Sequence, residues 1–401
     1  MMGIIFVAAL LSVNAPENGA VVPLLSGAAK TFYAQTSAQI LNDAGSPELR
    51  TAQSLGDRPL PVTLAWTFHG DSAMRPRFAV EVARTRDDLP VAWFNTVETS
   101  VKVDNLEVGC EYMWKVWAVQ GNECVACTSS VFATENTAPR MLRWPGVINV
   151  RDLGGRIGMD GRHVRQNRIF RSAGLNGNAM TTCVTNGNVP VVCRTLGKTC
   201  LDSVAKEEII GKFAIRTDLD LRKADPECWG MSQSPLGGSV TWTNISFGAY
   251  ERLDLDWGRR AVADCFRVFA DEKNYPIVFH CIGGADRTGT LTFILLAVLG
   301  VSQDEIDRDW ATTSFLPESA FLPLGANLGA FRASRYAKIA DKLSRYQGAT
   351  LCQRAEAFVR DCGITNDEIE RFRAIMLEPI VDKSDMARDG SVPCAHEVSL
   401  R

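Results

Sequence analysis

Ten consecutive residues, His280-Cys-Ile-Gly-Gly-Ala-Asp-Arg-Thr-Gly289, carry reactive side chains at a spacing that implies one kind of chemistry. A cysteine and an arginine with five residues between them, two of those glycines, stand between an apolar strand-like run and an apolar helical one. A loop of this kind at a helix N-terminus aims successive backbone N–H groups and the helix dipole at one point, which suits a tetrahedral dianion. Gly283 and Gly284 let the backbone approach that anion with no Cβ in the way. Arg287 can grip two of its oxygens through the planar guanidinium fork. The anion-binding set is therefore Ile282, Gly283, Gly284, Ala285, Asp286 and Arg287. Cys281 lies in the same positive field, which should lower its thiol pKa from roughly 8.5 to about 4 to 7. A thiolate facing a phosphorus held in line is a nucleophile placed for covalent phosphoryl transfer. Neither a metal nor an organic cofactor is called for. A buried structural cysteine beside a glycine turn is the plain alternative. The coincidence of strand, His-Cys, paired glycines, Arg-Thr-Gly and helix favours the chemical reading.

The elements that must position this loop are legible around it. Pro276 to His280 and Phe213 to Leu221 read as buried strands. Arg259 to Asp271 has helical periodicity, with Val262, Phe266 and Phe269 on one face, and Thr288 to Leu299 is an apolar helix ended by Gly300. Ser302-x-x-Glu305 and Thr365-x-x-Glu368 have the spacing of capping boxes. Strands alternating with helices imply an α/β layer fold. The block from Cys183 to Ile210 reads as a surface insertion, and residues 382–401 as a tail.

The loop resembles that of the protein tyrosine phosphatase superfamily, and its Asp-Arg-Thr-Gly ending resembles the atypical bacterial and fungal branch. Asn149-Val-Arg-Asp-Leu-Gly-Gly155, Asp160-Gly-Arg162, Arg168-Ile-Phe-Arg-Ser172 and Asp220-Leu-Arg222 are similar to other signatures of that branch. The resemblance spans roughly Ile148 to Ile375. It implies a phosphatase with a phosphocysteine intermediate acting on phosphotyrosine and, in some members, phosphoserine or phosphoinositides. It also implies that His280 is the buried histidine that helps set the thiolate, and that Thr288 donates to the departing thiolate when water cleaves the intermediate. Rhodaneses also use a loop cysteine, but their loops lack this ending. Arg151 and Asp152 can pair with each other and order the loop, or form a plain turn salt bridge.

The leaving group needs a general acid. After a strand like Val240 to Ile245, relatives carry an Asp where this chain reads Ser246-Phe-Gly-Ala-Tyr250. Glu251, Asp254 and Asp256 follow. Asp286, fixed relative to the anion, is the first choice and Asp254 the second; either can instead be a solvated charge or a loop brace. Relatives favouring phosphoinositides often have Lys where Ala285 stands, so monophosphorylated aryl substrates such as phosphotyrosine are expected. Arg194, Lys198 and Lys206 of the insertion can line the mouth. The alternatives are a phosphoinositide or inositol-phosphate phosphatase, and a catalytically quiet phospho-ligand-binding pseudophosphatase. The intact Cys281, Arg287 and Thr288 speak against the last.

The first half follows a different rule. Pro61 to Trp66, Phe78 to Val82, Val101 to Val103, Tyr112 to Val119 and Ser130 to Thr134 alternate with period two, as in an antiparallel β-sandwich. With Trp66 early and a tyrosine-corner pattern at Leu106 to Tyr112, this half resembles a fibronectin type III domain. Cys124 and Cys127 there suit a hairpin-loop disulfide or plain thiols better than zinc. Ile4 to Leu11 is a short apolar run followed by small residues up to Ala15. It reads as a secretory signal or as a buried N-terminal strand. The expected division is a signal peptide over 1–20, a sandwich over 21–137, an α/β phosphatase domain over 138–381 (a central sheet flanked by helices) and the tail. Export to the periplasm, cell surface or medium follows if the signal is real, and a cytoplasmic location otherwise.

Composition bounds the rest. The chain has 401 residues, 46% of them hydrophobic and 22% charged, with 43 basic against 46 acidic side chains for a net charge of −3. That is a globular composition with no basic excess for nucleic acid, and no run reaches transmembrane length. The expected partners are a phosphorylated protein or small phosphate monoester, and a surface or protein ligand for the sandwich.

Overall fold

A computed structural model describes residues 9–43, 59–176, 185–186, 189–190, 201, 203–225, 227–228, 230–315 and 328–380. Among the described residues of the first half, eight strands build two facing sheets. One runs β1 (Leu10–Ala15), β3 (Val62–His69), β6 (Ser100–Val103); the other runs β2 (Ala20–Val22), β8 (Glu123–Thr134), β7 (Glu111–Gln120), β4 (Arg77–Arg84), β5 (Leu89–Thr96). Alternate residues of β4 and β7 point inward, so Phe78, Val80, Val82, Tyr112, Trp114 and Val116 close on Trp66 and Leu64 in a dry core. The Tyr112 hydroxyl accepts from the Glu107 N–H at 2.8 Å, the tie expected from the Leu106 to Tyr112 pattern. Cys124 and Cys127 are exposed and unbridged, so of their expected states the plain thiols are present.

One segment takes one of its two expected forms, and another departs from the sequence reading. Leu10 to Ala15, read as the end of a leader or as a strand, is an edge strand paired antiparallel with β3; cleavage after Ala15 would remove it. Residues 1–8 lie outside the described part. After β2 the chain leaves the sandwich altogether. Helices α1 (Gly27–Tyr33) and α2 (Ser37–Asp43) bury Leu25, Ala29, Phe32, Tyr33 and Ile40 in the core of the second half, before the chain returns as β3. The 21–137 segment therefore serves two cores.

The second half is a six-stranded sheet ordered β15 (Thr241–Asn244), β14 (Thr217–Asp220), β16 (Ile277–His280), β11 (Ile169–Ser172), β10 (Arg151–Asp152), β9 (Arg140–Met141). The first four strands in this order are parallel, and β10 and β9 add antiparallel at the other edge. In the insertion only the short pair β12 (Thr185–Asn186) and β13 (Val189–Pro190) and then α3 (Ser203–Phe213) are described; Arg194 and Lys198 are outside the described residues. Helix α4 (Asp256–Phe269) buries Val262, Phe266 and Phe269 as its periodicity requires. Helix α5 (Asp286–Val298) is buried at every position from Thr288 on, which explains its apolar sequence all round. Helices α6 (Gln303–Ala311), α7 (Leu328–Ser344), α8 (Leu351–Asp361) and α9 (Asn366–Met376) complete the layer. Thr365 and Glu368 form the full expected capping box, whereas at α6 Ser302 caps the Glu305 N–H.

The halves meet through polar contacts. Arg140 donates from Nε to the Leu106 carbonyl at 3.0 Å and from Nη2 to that of Asn105 at 2.7 Å, and Gln166 bonds both backbone groups of Val108 at 2.9 Å. The turn before β7 is thus read by two side chains of the α/β half.

Candidate active site

The Cys281 loop leaves the carboxyl end of β16, the third strand of the parallel set, and enters α5 directly. Ligand sites of parallel sheets form at this end. No side chain caps α5, so its first-turn N–H groups are available to an anion. Gly284 has φ +67°, and a Cβ there would lie 2.4 Å from the Ser172 carbonyl oxygen; only glycine fits. Gly289 packs flat against Trp310 of α6, where a Cβ would sit 2.8 Å from the indole.

Cys281 is buried. Burial pushes its thiol up, but the Arg287 guanidinium and hydrogen bonding from the Thr288 hydroxyl and backbone N–H outweigh it, and the pKa falls below the ordinary value. The Thr288 Oγ1 is buried with no other partner among the described residues. His280, fully buried, places Nε2 2.9 Å from Asp218 Oδ1 and Nδ1 3.1 Å from the Cys281 carbonyl. Burial lowers its pKa, yet Asp220 and Asp218 on β14 raise it by more.

Three residues that pattern reading missed complete the pocket. Glu227 takes the Arg287 fork, Nη1 to Oε2 at 2.6 Å and Nη2 to Oε1 at 3.3 Å, and accepts from the Lys223 N–H at 2.7 Å. Tyr250 donates its hydroxyl to Asp286 Oδ1 at 2.7 Å from a backbone with φ 57°, a conformation bulky residues rarely adopt. Asp309 on α6 sits beneath the loop. Two of the three carboxylates of the 250s are engaged elsewhere: Asp254 with Lys342 and Glu251 with Arg335, both on α7.

The expected Arg151–Asp152 pair does not form. Neighbours on a strand point to opposite faces. Asp152 accepts from Arg140 Nη1 at 2.8 Å, while Arg151 turns to Asp309 at 3.4 Å and to the Asn149 side chain. Asn149, at φ 60°, then donates Nδ2 to the Gly283 carbonyl at 3.0 Å. Arg156 reaches Asp309 Oδ1 at 2.8 Å, and Arg171 joins Asp309 to the Gly284 carbonyl, 2.6 Å from its Nη2. The two signature segments beside the loop therefore hold it from below. Three guanidiniums keep the Asp309 carboxyl down at about 2 against the cost of burial.

Comparison with known proteins agrees with this geometry. Residues 142–185 and 199–378 match the tyrosine phosphatase family. A tyrosine-protein phosphatase of Nostoc commune is 22% identical over 207 residues, covering 42% of this chain and 68% of that protein. A Cupriavidus necator protein named for the same activity is 26% identical over 187 residues, 41% of this chain and 60% of its own length. The matched residues contain β10, β11, the Cys281 loop and α6, and with them the contacts of Asp309 and Asn149 beneath the loop. The chain belongs to the tyrosine phosphatase family.

Proposed function

We propose that the protein is a cysteine-dependent phosphatase that hydrolyses phosphate monoesters, phosphotyrosine foremost, through a phosphocysteine. The observation that carries this reading is a cysteine of lowered pKa at the mouth of an uncapped buried helix, with Arg287 beside it. In the first step the Cys281 sulfur attacks phosphorus, the S–P bond forms and the ester P–O bond breaks. Arg287 and the loop amides from Ile282 to Arg287 take the charge on the equatorial oxygens. Asp286, held by the Tyr250 hydroxyl at the loop's rim, gives its proton to the leaving oxygen. In the second step water attacks the phosphocysteine, Asp286 accepts its proton, and Thr288 donates to the departing thiolate. His280 holds the Cys281 carbonyl and so orients the strand end that presents the sulfur.

Ala285 offers no charge to a second phosphate, which supports monophosphorylated aryl substrates over polyphosphorylated inositides. The β1-β3-β6 and β5-β4-β7-β8 strand order and the Tyr112 tie support a fibronectin type III-like identity for the sandwich, whose role is to position the enzyme. The test is hydrolysis of p-nitrophenyl phosphate by the full chain. Turnover should be abolished in Cys281→Ser; activity retained in that variant, or none in the parent protein, contradicts the reading.

A further inference from the structure

We propose that Tyr33, on a helix preceding most of the sandwich in sequence, is a positioning residue for the Cys281 loop, acting through the end of α6. The inference rests on the phosphatase reading for the nature of the loop's ligand. Tyr33 is buried, and its Oη lies 2.7 Å from Thr312 Oγ1. Thr312 already gives its single hydroxyl hydrogen to the Arg308 carbonyl at 2.8 Å, so Tyr33 is the donor. The bond pins the C-cap of α6, beside the Arg151, Arg156 and Asp309 group.

The same turn holds the loop. Asp309 binds Arg171, which also donates to the Gly284 carbonyl. Thr313 Oγ1 lies 3.5 Å from both Asn149 Nδ2 and Arg151 Nη2, and Asn149 donates to the Gly283 carbonyl. A trans peptide points its C=O and the following N–H in opposite directions. Holding the carbonyls of Gly283 and Gly284 downward therefore aims the N–H groups of Gly284 and Ala285 away from α6, in the sense an oxyanion cradle needs. The family match begins at residue 142, so Tyr33 is a support this chain adds from outside the matched residues.

Tyr33→Phe keeps the ring and removes the hydroxyl, and Thr312→Val removes the bond from the other side. In the full-length protein, vanadate affinity measured by calorimetry should fall about threefold to tenfold in each variant, the range of one buried neutral hydrogen bond. The pH midpoint of Cys281 alkylation should rise. The double variant should be no worse than the weaker single one, because both act through one contact. Lys30→Ala, on the same helix but tied to Glu135 of β8's end, should leave vanadate affinity unchanged. A Tyr33→Phe protein with lowered thermal stability but parental vanadate affinity and alkylation midpoint would make Tyr33 merely structural and overturn the proposal. A parent protein that binds no vanadate overturns it together with the loop's assignment. One that binds vanadate with the expected ordering of variants, yet turns over no ester, removes only the activity and supports the positioning role.

Discussion

The Cys281 loop is flanked by two arginine–carboxylate systems of opposite character. Beneath it, Asp309 faces Arg151, Arg156 and Arg171 with all four side chains at 0% exposure. At its mouth, Arg287 and Glu227 remain 17% and 23% exposed. A broken pair at the mouth is rehydrated, whereas one beneath leaves charge without water or partner. The contrast separates two tasks. The lower system fixes the peptide planes of the loop before any ligand arrives. The upper one holds Arg287 by a contact that can adjust when a phosphate competes for its fork.

Of the single substitutions, the largest effect should come from breaking the lower system. Asp309→Ala strands three buried guanidiniums, and we expect a loss of roughly 3–5 kcal/mol in unfolding free energy by urea titration. The same carboxyl sets an acid limit. Its pKa is held down to about 2 in the fold against about 3.9 unfolded, so its contribution is complete above about pH 4 and disappears as pH falls through about 2. An acid-unfolding curve that is identical in the parent protein and a folded Asp309→Asn variant would remove this group from the acid transition.

A truncation that removes α1 and α2 tests the shared core from outside both systems. A chain beginning at Ala138 keeps the loop and α5 but exposes the surface that Leu25, Phe32, Tyr33 and Ile40 cover. Each such side chain contributes about 1.5–3 kcal/mol when buried. We expect this shortened chain to unfold at clearly lower temperature in calorimetry than the full protein. Equal melting temperatures would show that the two cores are independent after all.

The smallest stability effect belongs to the mouth. Glu227→Gln should change unfolding free energy by no more than about 1 kcal/mol, while kcat/KM for p-nitrophenyl phosphate falls about threefold to tenfold because Arg287 loses its guide. A large stability loss there would erase the distinction between the two systems. His280 sharpens it from the other direction. Its raised pKa means that the stability it supplies is complete below about pH 6.5 and lost as pH rises through the folded value. Asp218→Asn, which removes the carboxylate 2.9 Å away, should shift that loss to lower pH in urea titrations across the alkaline range.

What could be read from the sequence was local. The stretch from Ile277 to Gly289 carries its strand, its turn and its helix in consecutive residues, so the loop's shape needs no distant information. Glu227, Asp309 and Tyr33 reach the loop or its supports from distant parts of the chain, and no pattern around any of them announces that meeting. The Arg151–Asp152 pairing failed for a local reason, the alternation of side chains along a strand. Pro90 and the exposed residues of β5 hid that strand, as Pro on a sheet edge commonly does. Leu10 to Ala15 satisfies the composition of a leader and of an edge strand equally, and pairing with β3 is visible only in three dimensions.

The central claim is that Cys281 ionises below the ordinary thiol value in a loop proposed to bind an anion. Iodoacetamide labelling of the intact protein across pH 4 to 9 (about the range a loop thiolate spans), with the modified cysteine located by mass spectrometry, tests it most directly. Cys281 should react with a midpoint well below roughly 8.5, the ordinary thiol value, and vanadate should protect it. A midpoint at or above that value, or labelling that vanadate does not slow, would contradict the claim.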